Sequence, residues 1–473
     1  MLRIARIFQL PHKFDRIKFI SAIAFALNFS ALACDTTRTT LPRPVSTTPH
    51  EILRVATSGD YAPFSDWPED APAPRGFSVS VAEAYGREIG ARLQWRRFRW
   101  PELSGDLEAG SFDLALSGIT VRPDRSILGR FALPLTTSGA IGLVRADSSL
   151  SSAKDFDHAS IRIAVNAGGH LERVARRLFP SAQIEAISDN AAVPGRLMDD
   201  AADVVVTDTL EAPHWKNRAR AELRMIGPLT RDFKAAWFPP ENEQEALRFS
   251  RWLLRAEAAG QLDLLRREHG LPEERTARPL AALLSSLDER LTLMPAVADA
   301  KKRLGAAIEN PAREEIVLDA AVLAIQDSTL QSGITPPDPV MVRRLFRAQI
   351  EAAKWIQIQH LENAPTEFEA TTPAERLDAK RTLDETIRPA LIYLGKRISM
   401  LIIACVAESR EDLAYADVAH ALDRHKLPES TLRALYEALS EIITPEKRAG
   451  PTRRPAAART SRASSGSMQM GHP

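Results

Sequence analysis

The chain has 473 residues, 44% of them hydrophobic, which suggests roughly two to four globular domains and excludes a mainly disordered protein. Its 62 basic and 61 acidic residues give a net charge of +1, which excludes a chain-wide basic surface for nucleic acid. Its two cysteines, Cys34 and Cys405, are too few for a disulfide scaffold.

The N-terminal segment has the pattern of an export signal. Residues 1–18 are basic, and residues 19–33 form an apolar run shorter than the ~20 residues of a membrane span. We therefore expect a signal peptide at 1–33, cleaved near Ala33, and a mature protein that is periplasmic or secreted. A retained hydrophobic helix and a lipid anchor at Cys34 are less favoured alternatives. We expect no later apolar stretch long enough to cross a membrane.

Residues 34–50 are rich in Pro and Thr and predict a linker. Residues 51–275 mix strand and helix patterns and predict an α/β domain. The strand patterns, which indicate burial on both faces, lie at 52–57, 112–120, 161–166 and 203–208. The helical patterns nearby lie at 78–90 and 170–179.

Residues 278–446 read as almost continuous helix, so the fold class changes near residue 275. Three capping residues followed by proline mark helix starts, at Asn310-Pro311, Asp338-Pro339 and Thr372-Pro373. Pro295 is expected to kink the first helix of this region. Residues 447–473 carry six basic residues and no acid, and predict a disordered basic tail.

A loop at 114–126 in the first half carries donors for a carboxylate. Gly118 ends a strand pattern, and Thr120 and Arg125 follow it. Backbone amides, a hydroxyl and a guanidinium together suit a carboxylate ligand. From residue type alone, a surface ion pair is the simpler interpretation of Arg125.

The surrounding segments resemble the amino-acid type of periplasmic solute-binding protein. The resemblance rests on 52–66, 76–90 and the loop, although Arg122 stands where a second Thr is more common. It implies two α/β lobes joined by a hinge, with the ligand in the cleft and Arg125 on its carboxylate.

Two later segments, 163–180 and 203–215, resemble cyclohexadienyl dehydratase, which dehydrates prephenate or arogenate. His170 and Leu171 depart from the family, which more often has Thr-Asn there. The site residues that the resemblance implies are Asn166, Gly168, Gly169, Thr207, Asp208 and Glu211, with Tyr61 and Trp100 from the first lobe.

The chemistry of such a dehydratase indicates what Glu211 would do. Prephenate loses its ring hydroxyl together with its ring carboxylate, and hydroxyl is a poor leaving group that an acid must protonate. Glu211 follows a buried strand, where desolvation would raise its pKa. A plain helix-start residue is the alternative. Lys234 is a weaker candidate for binding the ring carboxylate of the substrate, and the alternative interpretation is a solvated surface lysine.

The helical half carries stacked cations. Arg290 and Lys301 are eleven residues apart, which leaves them about 20° from one helix face. Arg313 follows early in the next helix, and the face of a later helix carries Phe346 and Gln357. Stacked cations alone more often mark a solvated face.

The combination resembles the exported class of all-helical chorismate mutases. The matching motifs include Glu289-Arg290-Leu291 and Gln349-Ile350, over about 278–400. The site residues that the resemblance implies are Arg290, Lys301, Arg313, Gln357 and Arg388, with Asn310 and Glu314 in the same motif. The rearrangement of chorismate is pericyclic, so such a cage would clamp two carboxylates while Lys301 and Gln357 donate to the ether oxygen.

The sequence thus predicts an exported bifunctional enzyme that turns chorismate into prephenate and dehydrates it. We expect no cofactor or metal, no nucleic-acid partner, small-molecule substrates (chorismate, prephenate, arogenate), and a homodimer as one possibility. One alternative is an amino-acid-binding or sensor protein fused to a helical domain without turnover. Another is an active mutase whose first domain is a relic or a regulator.

Overall fold

The computed structural model describes residues 52–219, 222–273, 276–330, 334–363, 372–408 and 413–444. The predicted signal peptide, linker and basic tail, and Cys34, lie outside the described residues.

The first half is α/β. Its strands are β1 (Ile52–Thr57), β2 (Asp60–Tyr61), β3 (Ser65–Asp66), β4 (Arg92–Arg97), β5 (Leu114–Ala115), β6 (Arg130–Ser138), β7 (Ala140–Arg145), β8 (Arg162–Asn166), β9 (Gln183–Ile187), β10 (Val204–Asp208), β11 (Leu223–Ile226) and β12 (Asp232–Phe238). They include two five-stranded mixed sheets, with strand orders β4-β1-β5-β12-β6 and β11-β7-β10-β8-β9. Each sheet is the centre of one lobe.

The chain crosses between the lobes at Gly139, between β6 and β7, and again between β11 and β12. Since β6 and β12 pair from Asp232↔Ser138 to Phe238↔Arg130, the two crossings lie side by side. Paired crossings of this kind form a hinge, and they place the ends of strands from both sheets at the cleft.

Three of the four predicted strands are present, while the strand predicted over 112–120 is much shorter. The strand is limited to Leu114–Ala115, because Gly118 has φ +64° and turns the chain, and Thr120 beyond it forms only an isolated bridge with Lys234. A Cβ on Gly118 would lie 2.6 Å from the Tyr61 ring, so glycine permits this close turn.

Helices flank the sheets and then form the whole second half. They are α1 (Phe77–Ile89), α2 (Leu103–Glu108), α3 (Pro123–Leu128), α4 (His170–Leu178), α5 (Gly195–Met198), α6 (Ala212–Arg218), α7 (Glu243–Ala258), α8 (Gln261–Glu268), α9 (Pro279–Thr292), α10 (Met294–Leu304), α11 (Pro311–Leu330), α12 (Pro339–Glu362), α13 (Pro373–Arg381), α14 (Arg388–Glu408), α15 (Tyr415–Ala421) and α16 (Glu429–Ile443). Among the described residues beyond 276 there is no strand.

The predicted helix starts in the second half agree with the structure. Helices α11, α12 and α13 begin at the predicted prolines, and Asp338 and Thr372 cap two of them by accepting backbone amides. Pro295 interrupts the first helix more strongly than a kink, since α9 ends at Thr292 and α10 starts at Met294.

The two halves share one hydrophobic core. A single cluster of buried residues runs from Phe249 on α7 to Leu287 on α9 and Leu401 on α14. Hydrogen bonds cross the same boundary, since Tyr393 Oη and Arg397 Nη1 donate to the Phe131 carbonyl at 2.6 and 2.7 Å. The α/β half and the helical half are therefore packed together.

One stretch contradicts the expectation that no later segment is apolar enough to cross a membrane. By length and composition alone, Pro373–Glu408 meets that criterion within the described residues, but 61% of its apolar window is buried inside the protein. Its inner face supplies core residues, including Ile398 and Leu401. Burial in a core accounts for this apolar composition.

Candidate active sites

The cleft between the two lobes gathers nine of the predicted substrate-binding and catalytic residues. They are Tyr61, Trp100, Gly118, Thr120, Arg125, Asn166, Gly169, Glu211 and Lys234. The remaining space between them is about 40 Å³. A six-membered ring therefore enters only if the lobes move apart at the hinge.

Glu211 follows β10 at the start of α6 and is 2% exposed. Its side chain does not cap the helix; instead it accepts hydrogen bonds from Asn190 Nδ2 at 2.7 Å and Thr207 Oγ1 at 2.8 Å. Burial, and then the nearby charge of Asp208, raise the pKa of Glu211 well above its usual range. Both effects favour the protonated form of the carboxyl group.

Asp208 has the opposite character, although it is three residues away. Burial alone would raise its pKa, but the Lys234 ammonium at 3.1 Å and hydrogen bonds from Tyr61 and two backbone amides lower it. Asp208 is thus a buried anion beside a buried acid. When two neighbouring carboxyl groups have pKa values pushed apart in this way, one can donate a proton while the other keeps its negative charge.

Lys234 is 4% exposed, which excludes the alternative interpretation of this residue as a solvated surface lysine. Its Nζ donates to Thr120 Oγ1 at 3.0 Å, pairs with Asp208, and lies 5.2 Å from the centre of the Tyr61 ring. These contacts fix a cation in the wall of the cleft.

Arg125 is 2% exposed and makes no ion pair with any described carboxylate, so the surface ion pair is also excluded. Its Nη1 donates only to the Thr120 carbonyl at 3.3 Å, and its Nε has no protein partner. Burial, followed by the charge of Arg122, lowers the pKa of Arg125 to about 9. An unpaired buried guanidinium is suited to bind a carboxylate.

Three predicted residues of this half lie behind the cleft lining. Thr207 and Asp208 hold Glu211 and Lys234, while the Gly168 amide donates to Glu172 Oε2 at 2.7 Å and not toward the cleft. Sequence reasoning missed Asn190, which reaches Glu211 from another segment. No sequence spacing links Asn190 to Glu211, so only the fold reveals it.

His170, which departs from the dehydratase pattern, also lines the cleft. Its Nε2 lies 3.0 Å from Asp232 Oδ2. Trp100 donates from Nε1 to Asp60 at 3.1 Å and packs edge-on against Tyr61. These contacts fix the aromatic wall on the first-lobe side.

The second half contains a cavity of about 810 Å³ among its helices. It is lined by five predicted residues, namely Arg290, Lys301, Asn310, Arg313 and Arg388. The break at Pro295 leaves Arg290 on α9 and Lys301 on α10 facing the same space. The cavity is otherwise largely apolar, with Val297, Leu304 and Phe346 in its wall.

Arg290 is the most deeply buried cation of this cavity, 8% exposed. Its Nη1 donates to the Leu391 carbonyl at 3.3 Å, and its Nε has no protein partner. Burial alone lowers its pKa to about 10, since no described carboxylate offsets it. An anionic ligand would supply the missing partner.

The charges of Lys301, Arg313 and Arg388 repel one another; a backbone carbonyl holds Lys301, and an acid holds Arg388. Lys301 Nζ donates to the Ile308 carbonyl at 2.8 Å, and burial and the charge of Arg388 lower its pKa. Arg388 pairs with Asp384, and the amide of Arg313 donates to Asn310 Oδ1 at 3.0 Å. Asp384 also lines the cavity and was not foreseen.

Two predicted residues of this half do not line the cavity. Gln357 Nε2 donates to the Ala353 carbonyl at 3.1 Å, and its buried Oε1 has no protein partner. Glu314 accepts the Asn310 amide and lies 3.5 Å from Lys354 Nζ. A role for Gln357 at an ether oxygen therefore stays a prediction, and Glu314 orders the start of α11.

Among the described residues no group of three or more His, Cys, Asp or Glu is arranged to hold a metal ion.

Comparisons with known proteins match the two halves of the chain to different families. Residues 53–273 match the family of bacterial extracellular solute-binding proteins, family 3. A cyclohexadienyl dehydratase of Pseudomonas aeruginosa is 33% identical over 224 residues, covering 46% of this chain and 82% of that protein. The chain belongs to this solute-binding protein family. Residues 281–358 match chorismate mutase type II, so a chorismate mutase domain follows.

Other relatives are binding proteins. An L-cystine-binding protein of Bacillus subtilis is 24% identical, and the chain spans about half its length, 49%. A crystal structure of an ancestral amino-acid-binding protein, described as a precursor of cyclohexadienyl dehydratase, is 26% identical; it matches over 46% of this chain and 95% of that chain, with a TM-score of 0.44. The curated relatives therefore include both a binding protein and a dehydratase.

Proposed function

We propose that the chain is an exported bifunctional enzyme that rearranges chorismate to prephenate and then dehydrates prephenate, or arogenate. We assign the dehydratase to 51–275 and the mutase to 278–446. The observation that carries the proposal is Glu211, a buried carboxyl with a raised pKa in the cleft. A protein that only binds and releases its ligand has no use for such an acid.

The dehydratase step uses Glu211 as general acid. Its proton goes to the ring hydroxyl, and the ring C–O bond breaks with loss of water. The bond to the ring carboxylate breaks in the same step, and its electron pair completes the aromatic ring as carbon dioxide leaves. Glu211 regains a proton from solvent, and the product is phenylpyruvate, or phenylalanine from arogenate.

Fixed charges in the cleft would orient this substrate. Arg125, without a carboxylate partner of its own, binds the side-chain carboxylate in a bidentate manner. Lys234 lies close enough to the cleft to attract the ring carboxylate, which departs as carbon dioxide. Asp208 pairs with Lys234 and raises the pKa of Glu211, so it is a positioning residue.

The mutase step needs no acid, nucleophile or metal, because one C–O bond breaks while one C–C bond forms in a pericyclic rearrangement. Arg290, Arg313 and Arg388 clamp the two carboxylates and hold the chain of chorismate over its ring. Lys301 donates to the ether oxygen, where negative charge develops. Arg290, which is buried without a carboxylate, supports this assignment most directly.

The test is to supply chorismate to the purified mature chain, residues 34–473, and to follow chorismate loss and phenylpyruvate formation together. We expect phenylpyruvate, with prephenate as a transient intermediate. Tight binding of an amino acid without any turnover would support the binding-protein alternative. A reaction that stops at prephenate would support the mutase with an inactive first domain.

A further inference from the structure

Helix α7 belongs to the α/β half but forms one wall of the cavity in the helical half. Its residues Gln244, Leu247 and Arg251 line the 810 Å³ cavity. Its opposite face carries Phe249 and Leu253, which are fully buried. The packing of the first half therefore fixes where these three side chains face.

Arg251 differs from its neighbours on the same helix. Arg248 pairs with Glu245 at 3.2 Å, and Arg255 pairs with Glu88 at 2.8 Å, so both charges are balanced on the surface. Arg251 has no carboxylate within 4 Å among the described residues, and it is only partly exposed. Burial lowers its pKa, and the charge of Asp327 in the cavity wall offsets this in part.

Arg251 therefore adds a cation to the cavity that already contains Arg290 and Lys301. Asp327 and Asp384 are the acids in the wall, and Asp384 is paired with Arg388. The cations in this space exceed the acids, and the rest of the wall is largely apolar. A small dianion with an apolar ring would balance the excess charge and cover the apolar surface.

We propose that Arg251 binds a carboxylate of the mutase substrate, so that a helix of the α/β half completes the mutase site. The inference rests on the proposed mutase function. It identifies a substrate-binding residue outside 278–446, and it makes chorismate affinity depend on the first half of the chain. A planar guanidinium that makes no side-chain hydrogen bond or ion pair with a described residue suits such a carboxylate.

The test is steady-state kinetics of Arg251→Ala in the full mature chain with chorismate. We expect KM to rise about tenfold to a hundredfold while kcat changes less than threefold, because the contact is made in both ground and transition states. Arg251→Lys should recover part of the affinity. Arg255→Ala, one turn along α7 and paired with Glu88, is the matched control and should keep the wild-type KM.

Prephenate turnover in the same variants reports on folding, since Arg251 does not line the cleft between the two lobes. A wild-type KM for chorismate in Arg251→Ala with normal prephenate turnover would overturn the inference. If both activities fall in Arg251→Ala, the more conservative variant Arg251→Gln is measured instead. A wild-type KM for chorismate in Arg251→Gln would also overturn the inference. Failure of the wild-type chain to consume chorismate would instead contradict the proposed function itself.

Discussion

At the scale of single residues, two neighbouring carboxyl groups acquire opposite properties from their surroundings. Glu211 is buried beside a negative charge, which raises its pKa, whereas Asp208 accepts donors from Lys234, Tyr61 and the backbone, which lower its pKa. The difference arises from environment, since the unperturbed groups titrate within about half a unit of each other. These surroundings therefore favour the protonated form of Glu211 in the cleft lining and the anionic form of Asp208 behind it.

This arrangement predicts the pH dependence of the dehydratase. Glu211 acts only when protonated, so turnover should fall as the pH rises through its raised pKa. In Asp208→Asn the negative charge is lost and Lys234 is unpaired, and both changes favour ionised Glu211. The alkaline limb of kcat for prephenate should therefore move to lower pH. The measurement is a pH–rate profile of wild type and variant, with folding checked by circular dichroism.

An alkaline limb that stays in place, or moves to higher pH, would contradict the electrostatic coupling of Asp208 to Glu211. Glu222→Gln is a suitable control, because Glu222 is an exposed residue before β11 and should leave the profile unchanged.

Sequence reasoning proposed Glu211 and Arg125 because each stands in a short motif that follows a predicted strand, and it proposed Lys234, which lies inside β12, only as a weaker candidate. It could not identify Asn190, whose contact with Glu211 depends on two segments meeting in the fold. It also could not fix side-chain direction, as Gln357 illustrates: it lies on the predicted helix, yet its amide faces the Ala353 carbonyl.

At the scale of elements, the break between α9 and α10 shapes the helical cavity. The sequence predicted Arg290 and Lys301 on one helix face. In the structure both side chains line the same cavity, although their helices are separate and break near Pro295. The cap sequences also predicted where α11, α12 and α13 begin. Local signals of this kind need no tertiary information, which is why they were reliable.

Lys301 provides a test of this cavity. In Lys301→Ala the donor to the ether oxygen would be lost, and kcat for chorismate should fall by roughly 10²–10³-fold, as for removal of one oxyanion donor. Arg303→Ala, an exposed change on the same helix, should keep the wild-type rate. A loss of less than threefold in Lys301→Ala would mean that catalysis takes place elsewhere.

A buried ion pair joins the helical half to the α/β half. Arg397 on α14 pairs with Glu289 on α9, and Glu289 Oε1 also accepts from Ser126 Oγ at 2.8 Å. Arg397→Ala would leave Glu289 buried without its cation, and the free energy of unfolding should fall by about 3–5 kcal/mol. Urea denaturation followed by circular dichroism measures this change.

The control for this prediction is Arg433→Ala, which removes a surface pair with Glu429 and should shift the urea midpoint far less. Equal urea midpoints for the two variants would show that the buried ion pair between the two halves does not stabilise the protein. No sequence pattern predicts this contact, because Glu289 and Arg397 are 108 residues apart.

At the scale of the whole molecule, a hydrogen bond connects elements that carry the two candidate sites. Ser126 directly follows Arg125, a cation of the cleft, and Glu289 directly precedes Arg290, a cation of the helical cavity. The bond from Ser126 to Glu289 therefore joins α3 to α9 next to both cations. The order of folds along the chain was predictable from sequence, but their shared core was not, since it depends on long-range packing.

Under the proposed function two reactions run in series on this chain, and Glu211 is essential only to the second. The most direct measurement is product analysis after chorismate is given to Glu211→Gln. We predict that the variant consumes chorismate at the wild-type rate and accumulates prephenate, with phenylpyruvate formation reduced by about 10²-fold or more. Phenylpyruvate at the wild-type rate, or chorismate left unconsumed, would contradict the account.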